Sequence, residues 1–389
     1  MLPIPIWSAS PCLVSSAFAS ISDPVRLESG LAPGPAGQDP QVRACQGLPY
    51  AAPPAGNLRW QPAAPRRRSQ SGSVWTILYA GRRGTGDTEA TMIKMALPFF
   101  AAVSLVAQSQ LSPSASWAVH TLNEYQIAPN ITYLTASNVD LKLDVYSRRG
   151  ATAPQPTLIY MHGGFWVAGA KEGALMSLMP WLEMGWNVVN VEYRLGQVAL
   201  APAAVEDCMC ALKWVVVQAK TYNFDPNRIV VMGESAGGHL ALAVGMIPES
   251  AGLDQECASP TRLPKVAAVI NWFGVTDVGD VIQGEHKANA AARWFGSLPN
   301  KDDIARRISP LTYVRPGLPP IMTIHGDADP TVPYQHAVRL HDALKTAGVE
   351  NWLVTVPGGR HGNFTPDERT RIYVAIREFL TKNGLPANN

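Results

Sequence analysis

Arg228-Ile-Val-Val-Met-Gly-Glu-Ser-Ala-Gly-Gly-His-Leu-Ala-Leu-Ala-Val-Gly-Met246 is the stretch whose reading decides the fold. Arg228–Met232 is β-branched and apolar after the turn-forming Asp225-Pro-Asn227, which reads as a buried strand following a turn. Ala236–Met246, small and apolar, reads as a helix. Between the two stands Gly233-Glu-Ser-Ala-Gly237, a Gly-x-Ser-x-Gly run in the strand-turn-helix setting of a nucleophile elbow. A turn this tight strains the serine backbone and leaves no room for side chains at its flanks, hence Gly233 and Gly237. It lifts the Ser235 hydroxyl clear of the sheet edge and aims a helix N-terminus at it. The dipole and free N–H groups there favour developing negative charge. The five-residue pattern alone is common; its weight comes from the strand before it and the helix behind it.

At 389 residues the chain has room for two domains, or for one large α/β domain with an N-terminal extension. A 47% hydrophobic and 16% charged composition is that of a globular protein with a sizeable core. A net charge of +2 gives no reason to expect nucleic acid as a partner. No stretch is long and apolar enough for a spanning helix with its flanks. The cysteines, Cys12, Cys45, Cys208, Cys210 and Cys257, lack zinc-site spacing and are too few for a disulfide scaffold. No histidine pair has metal-ligand spacing beside a carboxylate, so neither a metal nor a cofactor is expected.

Residues 1–91 are rich in Pro, Gly, Ala, Ser and Arg without a sustained period, and little order is expected there. Within them Gln46–Trp60 resembles the N-terminal signature of type B carboxylesterases, then loses the likeness at Arg66-Arg-Arg68. A fused remnant and a proline-rich linker both account for it. Met92-Ile-Lys-Met-Ala-Leu-Pro-Phe-Phe-Ala-Ala-Val-Ser-Leu-Val-Ala107 reads as an internal signal peptide, with Met92 as the natural start; a short buried or interfacial helix is the alternative. With a signal the catalytic domain, 108–389, is secreted or periplasmic; without one it is cytoplasmic.

Within that domain Ile131–Thr135 and Val139–Tyr146 alternate as an antiparallel pair turning at Ser137-Asn138. Pro156–Met161 is a buried strand ending in His162-Gly-Gly-Phe-Trp166, where glycines bring backbone N–H groups close to a ligand. Gly164 and Phe165 are expected to donate to an oxyanion from this loop, and Ala236 from the elbow; His162 reads as a loop-stabilising hydrogen bonder. Trp186–Tyr193 is a further strand. The helix Pro202–Val217 turns Val205, Cys208, Leu212 and Val215 to the sheet. Cys210 lies about 200° further round, and in an exported protein it is the better partner for Cys257, three free thiols being the alternative. Arg194, Glu206 and Asp207 read as structural polar groups. Val266–Phe273 is the next strand, and residues 274–319 form a long insertion, a lid or pocket wall. Trp272, Phe273, Trp294, Phe295, Phe165 and Trp166 could line an aromatic pocket; Trp166, Trp272 and Trp294 are the expected substrate contacts.

Pro320–Gly326 is a strand followed by Asp327-Ala-Asp-Pro-Thr-Val-Pro333, where a carboxylate fixed by prolines suits the acid of a triad. Asp329 is chosen and Asp327 is the rival. Trp352–Val356 then leads to His361 on a glycine-rich loop. Ser235, Asp329 and His361 each follow a strand, in the chain order of the α/β-hydrolase fold.

On His162-Gly-Gly-Phe-Trp166, Glu192-Tyr-Arg194, Pro202-Ala-Ala-Val-Glu-Asp207, Gly233–His239, His325-Gly-Asp-Ala-Asp-Pro330 and Gly359-Arg-His-Gly362, residues 120–383 resemble the hormone-sensitive-lipase-like esterases. Within that group the chain is most similar to bacterial feruloyl and acetyl esterases and kynurenine-formamidase-like enzymes. The resemblance implies a central, mostly parallel eight-stranded sheet with helices on both faces and a small helical lid. Phe165 replaces the family's usual third oxyanion-loop glycine and should narrow the acyl site. The expected chemistry is serine ester hydrolysis of small or aryl esters through an acyl-enzyme. The alternatives are an arylformamidase and a prolyl-oligopeptidase-like peptidase, although nothing in the chain reads as a propeller. The expected partner is a small-molecule ester. Neither the natural ester nor the oligomeric state is readable from the sequence.

Overall fold

The computed structural model describes residues 111–387. The expectations for 1–91, 92–107 and 46–60 lie outside the described residues. Among those described, eight strands form one sheet: β1 (Tyr125–Ala136), β2 (Val139–Arg148), β3 (Gln155–Met161), β4 (Asn187–Val191), β5 (Phe224–Glu234), β6 (Ala268–Trp272), β7 (Ile321–Gly326) and β8 (Asn351–Val356). Their order is β1-β2-β4-β3-β5-β6-β7-β8, with β2 antiparallel to both of its neighbours and every pair from β4 onward parallel. The β1–β2 hairpin turns on Ser137 and Asn138, at φ 51° and 58°, the pair of left-handed residues that a two-residue turn between right-twisted strands requires. This is the α/β-hydrolase sheet that the resemblance implied.

The inner strands are apolar on both sides because both sides are covered. Val230 and Met232 of β5 point into one core with α2 (Leu175–Glu183) and α10 (Pro366–Lys382), where Trp181, Trp186, Ile376 and Phe379 pack. Ile229 and Val231 point the other way, into a larger core with α3 (Ala203–Val217), α5 (Ala236–Met246) and α9 (Gln335–Thr346). Two-residue periodicity along a strand is what divides these residues between two cores. Of the other helices, α1 (Pro113–Glu124) leads into β1, and the short α4 (Ala219–Tyr222) ends at Asn223 in a left-handed conformation before β5.

The insertion 274–319 holds α6 (Val278–Gln283), α7 (Asn289–Phe295) and α8 (Lys301–Ile308). Val281, Trp294, Phe295, Ile304 and Ile308 from these helices are buried in the larger core, so the insertion is a fixed wall, packed like the rest of the domain. Cys210 and Cys257 are bonded, and Cys208 is free and buried. The reading of Cys210 as facing away from the core needs correction: it is itself buried, because the loop carrying Cys257 covers that side of α3. Among the described residues no helix is long and apolar enough to cross a membrane.

Candidate active site

The parallel strands deliver their loops to one edge of the sheet. The turn from β5 into α5 holds Ser235 at φ 56°, ψ −115°, a strained conformation for a non-glycine residue. Its N–H donates to Trp272 O at 2.9 Å, tying the elbow to the end of β6. A Cβ at Gly233 would stand 2.3 Å from Gly237 O, and one at Gly237 would stand 2.0 Å from Met161 O at the end of β3. The glycines of the motif are therefore set by backbone meeting backbone across the turn.

Asp329 lies in the loop after β7, on the Asp-Pro turn. Its Oδ1 accepts from the N–H groups of Thr331 (2.7 Å) and Val332 (3.1 Å), and Oδ2 accepts from His361 Nδ1–H at 2.7 Å. With the proton on Nδ1, Nε2 of His361 is left to accept from Ser235 Oγ–H, 2.9 Å away. Burial would raise the pKa of Asp329, but hydrogen bonds from His325, His361 and the Thr331 N–H hold it well below the usual carboxylate range. It thus stays an anion where an imidazolium would need one. Asp327, the rival, accepts from Gly358 N–H at 2.6 Å and braces the loop that carries His361. That loop is fixed on its far side by Arg369, which donates to Gly362 O at 2.6 Å, and by the Thr365–Glu368 capping box that starts α10. Phe273 packs against the imidazole of His361, ring centroids 4.6 Å apart.

The loop after β3 runs beside the elbow. Gly164 has φ +126°, and Phe165 and Trp166 follow at +52° and +59°, two consecutive left-handed residues with Cβ atoms. Each such residue costs about 1–3 kcal/mol and persists only where its surroundings over-determine it. Among the described residues, no backbone acceptor is paired with the N–H of Gly164, Phe165 or Ala236, the three donors expected from the sequence. His162 donates from Nδ1 to Gly163 O (2.8 Å) and stacks on Tyr193 (4.4 Å), in keeping with a loop-stabilising role. Arg194 grips Asp207 through Nε and Nη2 beneath the loop, and Nη2 also meets Glu256 at 2.7 Å. Among the described residues no group of three or more His, Cys, Asp or Glu could hold a metal ion.

The expected substrate contacts need correction. Trp166, Trp272 and Trp294 are 0%, 2% and 0% exposed, so a substrate cannot reach them without opening the core. Trp272 packs between Phe364 and Tyr373, and Trp166 stacks on Trp294. Residue type signalled aromatics near the sheet edge but not which side of the wall they occupy. Of the six aromatics named, Phe165 alone keeps partial exposure. The sequence reading quoted His325 within its motif but gave it no role; it is buried at the end of β7 with Nε2 3.4 Å from Asp329 Oδ2, and its signal was a histidine four residues ahead of the acid.

The BD-FAE family model matches residues 143–344. Esterase LipQ of Mycobacterium tuberculosis is 29% identical over 248 residues, 61% of this chain and 58% of its own length. Isoprenylcysteine alpha-carbonyl methylesterase ICME of Arabidopsis thaliana is 25% identical over 57% of this chain and 53% of its own. The chain thus spans little more than half the length of these curated relatives. Among solved structures, a truncated carbohydrate esterase from gut microbiota superposes with a TM-score of 0.56 at 26% identity, over 67% of this chain and 97% of that one. Esterase 2 of Thermogutta terrifontis phosphonylated by sarin gives 0.60 at 26% identity, over 68% and 97%.

Proposed function

The chain belongs to the BD-FAE family, and on that premise we propose that it is a serine carboxylic-ester hydrolase working through an acyl-enzyme. One observation carries the proposal: the line from Asp329 Oδ2 through the imidazole of His361 to Ser235 Oγ, with separations of 2.7 and 2.9 Å. His361 takes the Ser235 proton as Oγ attacks the ester carbonyl and returns it to the leaving alkoxide. Asp329 holds the ring in the tautomer that leaves Nε2 free and stabilises the imidazolium. The oxyanion is met by the N–H groups of Gly164, Phe165 and Ala236, and water then attacks the acyl-enzyme by the same relay.

Small acyl groups are the proposed substrates, acetyl esters first. Support comes from the partly exposed ring of Phe165 on the donor loop, which takes up room that a glycine would leave. The names of the relatives and neighbours, esterases throughout, support the reaction class. An oxidising compartment is proposed as well, and the Cys210–Cys257 bond supports it.

Ser235→Ala should abolish hydrolysis of p-nitrophenyl acetate and covalent labelling by a fluorophosphonate while circular dichroism stays unchanged; turnover retained by that variant rejects the assignment. An acyl-length series with methyl ferulate and N-formylkynurenine should favour acetate. Phe165→Gly should extend turnover to butyrate and longer acids, and an unaltered profile would remove Phe165 from the acyl site.

A further inference from the structure

The two consecutive left-handed residues of the donor loop need something to hold them, and what surrounds Trp166 does so. Its buried indole lies flat on Trp294 of α7, with ring centroids 4.3 Å apart and planes 14° from parallel. Its Nε1–H donates to His239 Nδ1 at 3.1 Å. His239 stands on α5, one turn past Ser235, and its Nε2 lies 2.8 Å from Ile308 O at the end of α8. A carbonyl oxygen only accepts, so Nε2 carries the proton and Nδ1 presents a lone pair to the indole. Both bonds are therefore satisfied by one neutral tautomer. Burial favours that form, pushing the histidine down to about 4. Gly196 N–H closes the ring of contacts by donating to Trp166 O at 2.8 Å.

The two halves of the expected oxyanion site come from different places. Gly164 and Phe165 belong to the loop after β3, whereas Ala236 opens α5. The Trp166–His239 bond joins the residue immediately after Phe165 to the helix that Ala236 begins.

Resting on the ester-hydrolase reading, we propose that Trp166, His239 and Trp294 are positioning residues that set the spacing between the two groups of oxyanion donors, with the inserted helices α7 and α8 as their abutment. None of the three touches substrate. They act by holding Gly164 and Phe165 in register with Ala236, and the packed wall of the insertion thereby takes part in turnover from behind the loop.

The experiment compares Trp166→Phe, which keeps the ring and removes the donor, with His239→Leu, which removes the acceptor, and with His239→Asn, whose amide oxygen replaces Nδ1. Active sites are counted by fluorophosphonate titration. For each variant kcat and KM are measured on p-nitrophenyl acetate, together with Ki for an aryl trifluoromethyl ketone, which binds as a hemiketal oxyanion. Trp166→Phe and His239→Leu should lower kcat per titrated site about ten- to hundredfold, short of the hundred- to thousandfold for deleting a donor outright. KM should stay within about threefold, and Ki should rise by the factor by which kcat/KM falls, since both report transition-state binding. His239→Asn should retain most of the activity. The proposal is overturned if both impaired variants keep wild-type kcat and Ki per titrated site, any loss lying only in the number of sites. It is equally overturned if His239→Asn is as damaged as His239→Leu. A wild-type protein that neither hydrolyses the ester nor is labelled would sink the ester-hydrolase reading instead.

Discussion

Replacing Cys210 and Cys257 together by serine removes the cross-link between α3 and the loop before β6. The two cysteines are 47 residues apart in sequence, and closing a loop of that length withdraws about 4 kcal/mol of chain entropy from the unfolded state at 25 °C. Native contacts on the same loop survive the change. Lys213 still pairs with Asp254 at 2.6 Å, both buried, and Arg194 with Glu256 at 2.7 Å. The folded loop therefore keeps its place, and the loss acts through the unfolded chain. For a domain of this size about 4 kcal/mol corresponds to a fall in Tm of roughly 8–16 °C. The assay is urea unfolding of oxidised wild type against the double variant, with the midpoint and the slope fitted separately. A destabilisation under about 1 kcal/mol would refute the reasoning, as would alkylation of all three of Cys208, Cys210 and Cys257 in denatured, unreduced protein from an oxidising host.

Gly237→Ala should cost more than an ordinary helix substitution, because its methyl would stand 2.0 Å from Met161 O on the strand behind it; a loss of fluorophosphonate labelling is expected, and full labelling would contradict the close approach. Stability should fall as pH drops from about 6.5 to 4. His239 and His336 are each pushed down to about 4 by burial, so the unfolded chain takes up two protons over that window that the folded protein refuses. Glu206, pushed up to about 7 by burial and by the neighbouring Glu256, works the other way between about 7 and 4.5, binding its proton in the folded state first. Two histidines against one carboxyl leave a net loss on the order of 3 kcal/mol, measurable by urea unfolding at pH 7 and pH 4; equal stability at the two would refute the balance.

The strands were legible because both faces of the inner sheet are covered, so Ile229–Met232 reads as an unbroken apolar run and Ile321–Ile324 as one interrupted only by Thr323. The residues of the Asp329–His361–Ser235 line were legible because each follows a strand end on a loop built of Gly and Pro. The aromatic wall was not. A tryptophan has the same composition signal whether it faces a cleft or fills a core, and the left-handed turn at Phe165–Trp166 that drives Trp166 inward has no glycine to announce it. The helical phase of α3 separated Cys208 from Cys210 correctly, but phase says nothing about a loop that returns to cover the outer side. The role of His325 was not legible because its contact with Asp329 depends on the path of the chain between them.

In the proposed mechanism the base, His361, and the nucleophile, Ser235, are separated by 126 residues of chain. At ribosomal speeds of 5–20 residues per second, roughly 6–25 s pass between the synthesis of Ser235 and that of His361. A nascent or prematurely terminated polypeptide ending before β8 thus carries its serine without the imidazole that would activate it. On the proposed mechanism, reactivity toward esters arrives last, only when β8 and the loop beyond it have joined the sheet.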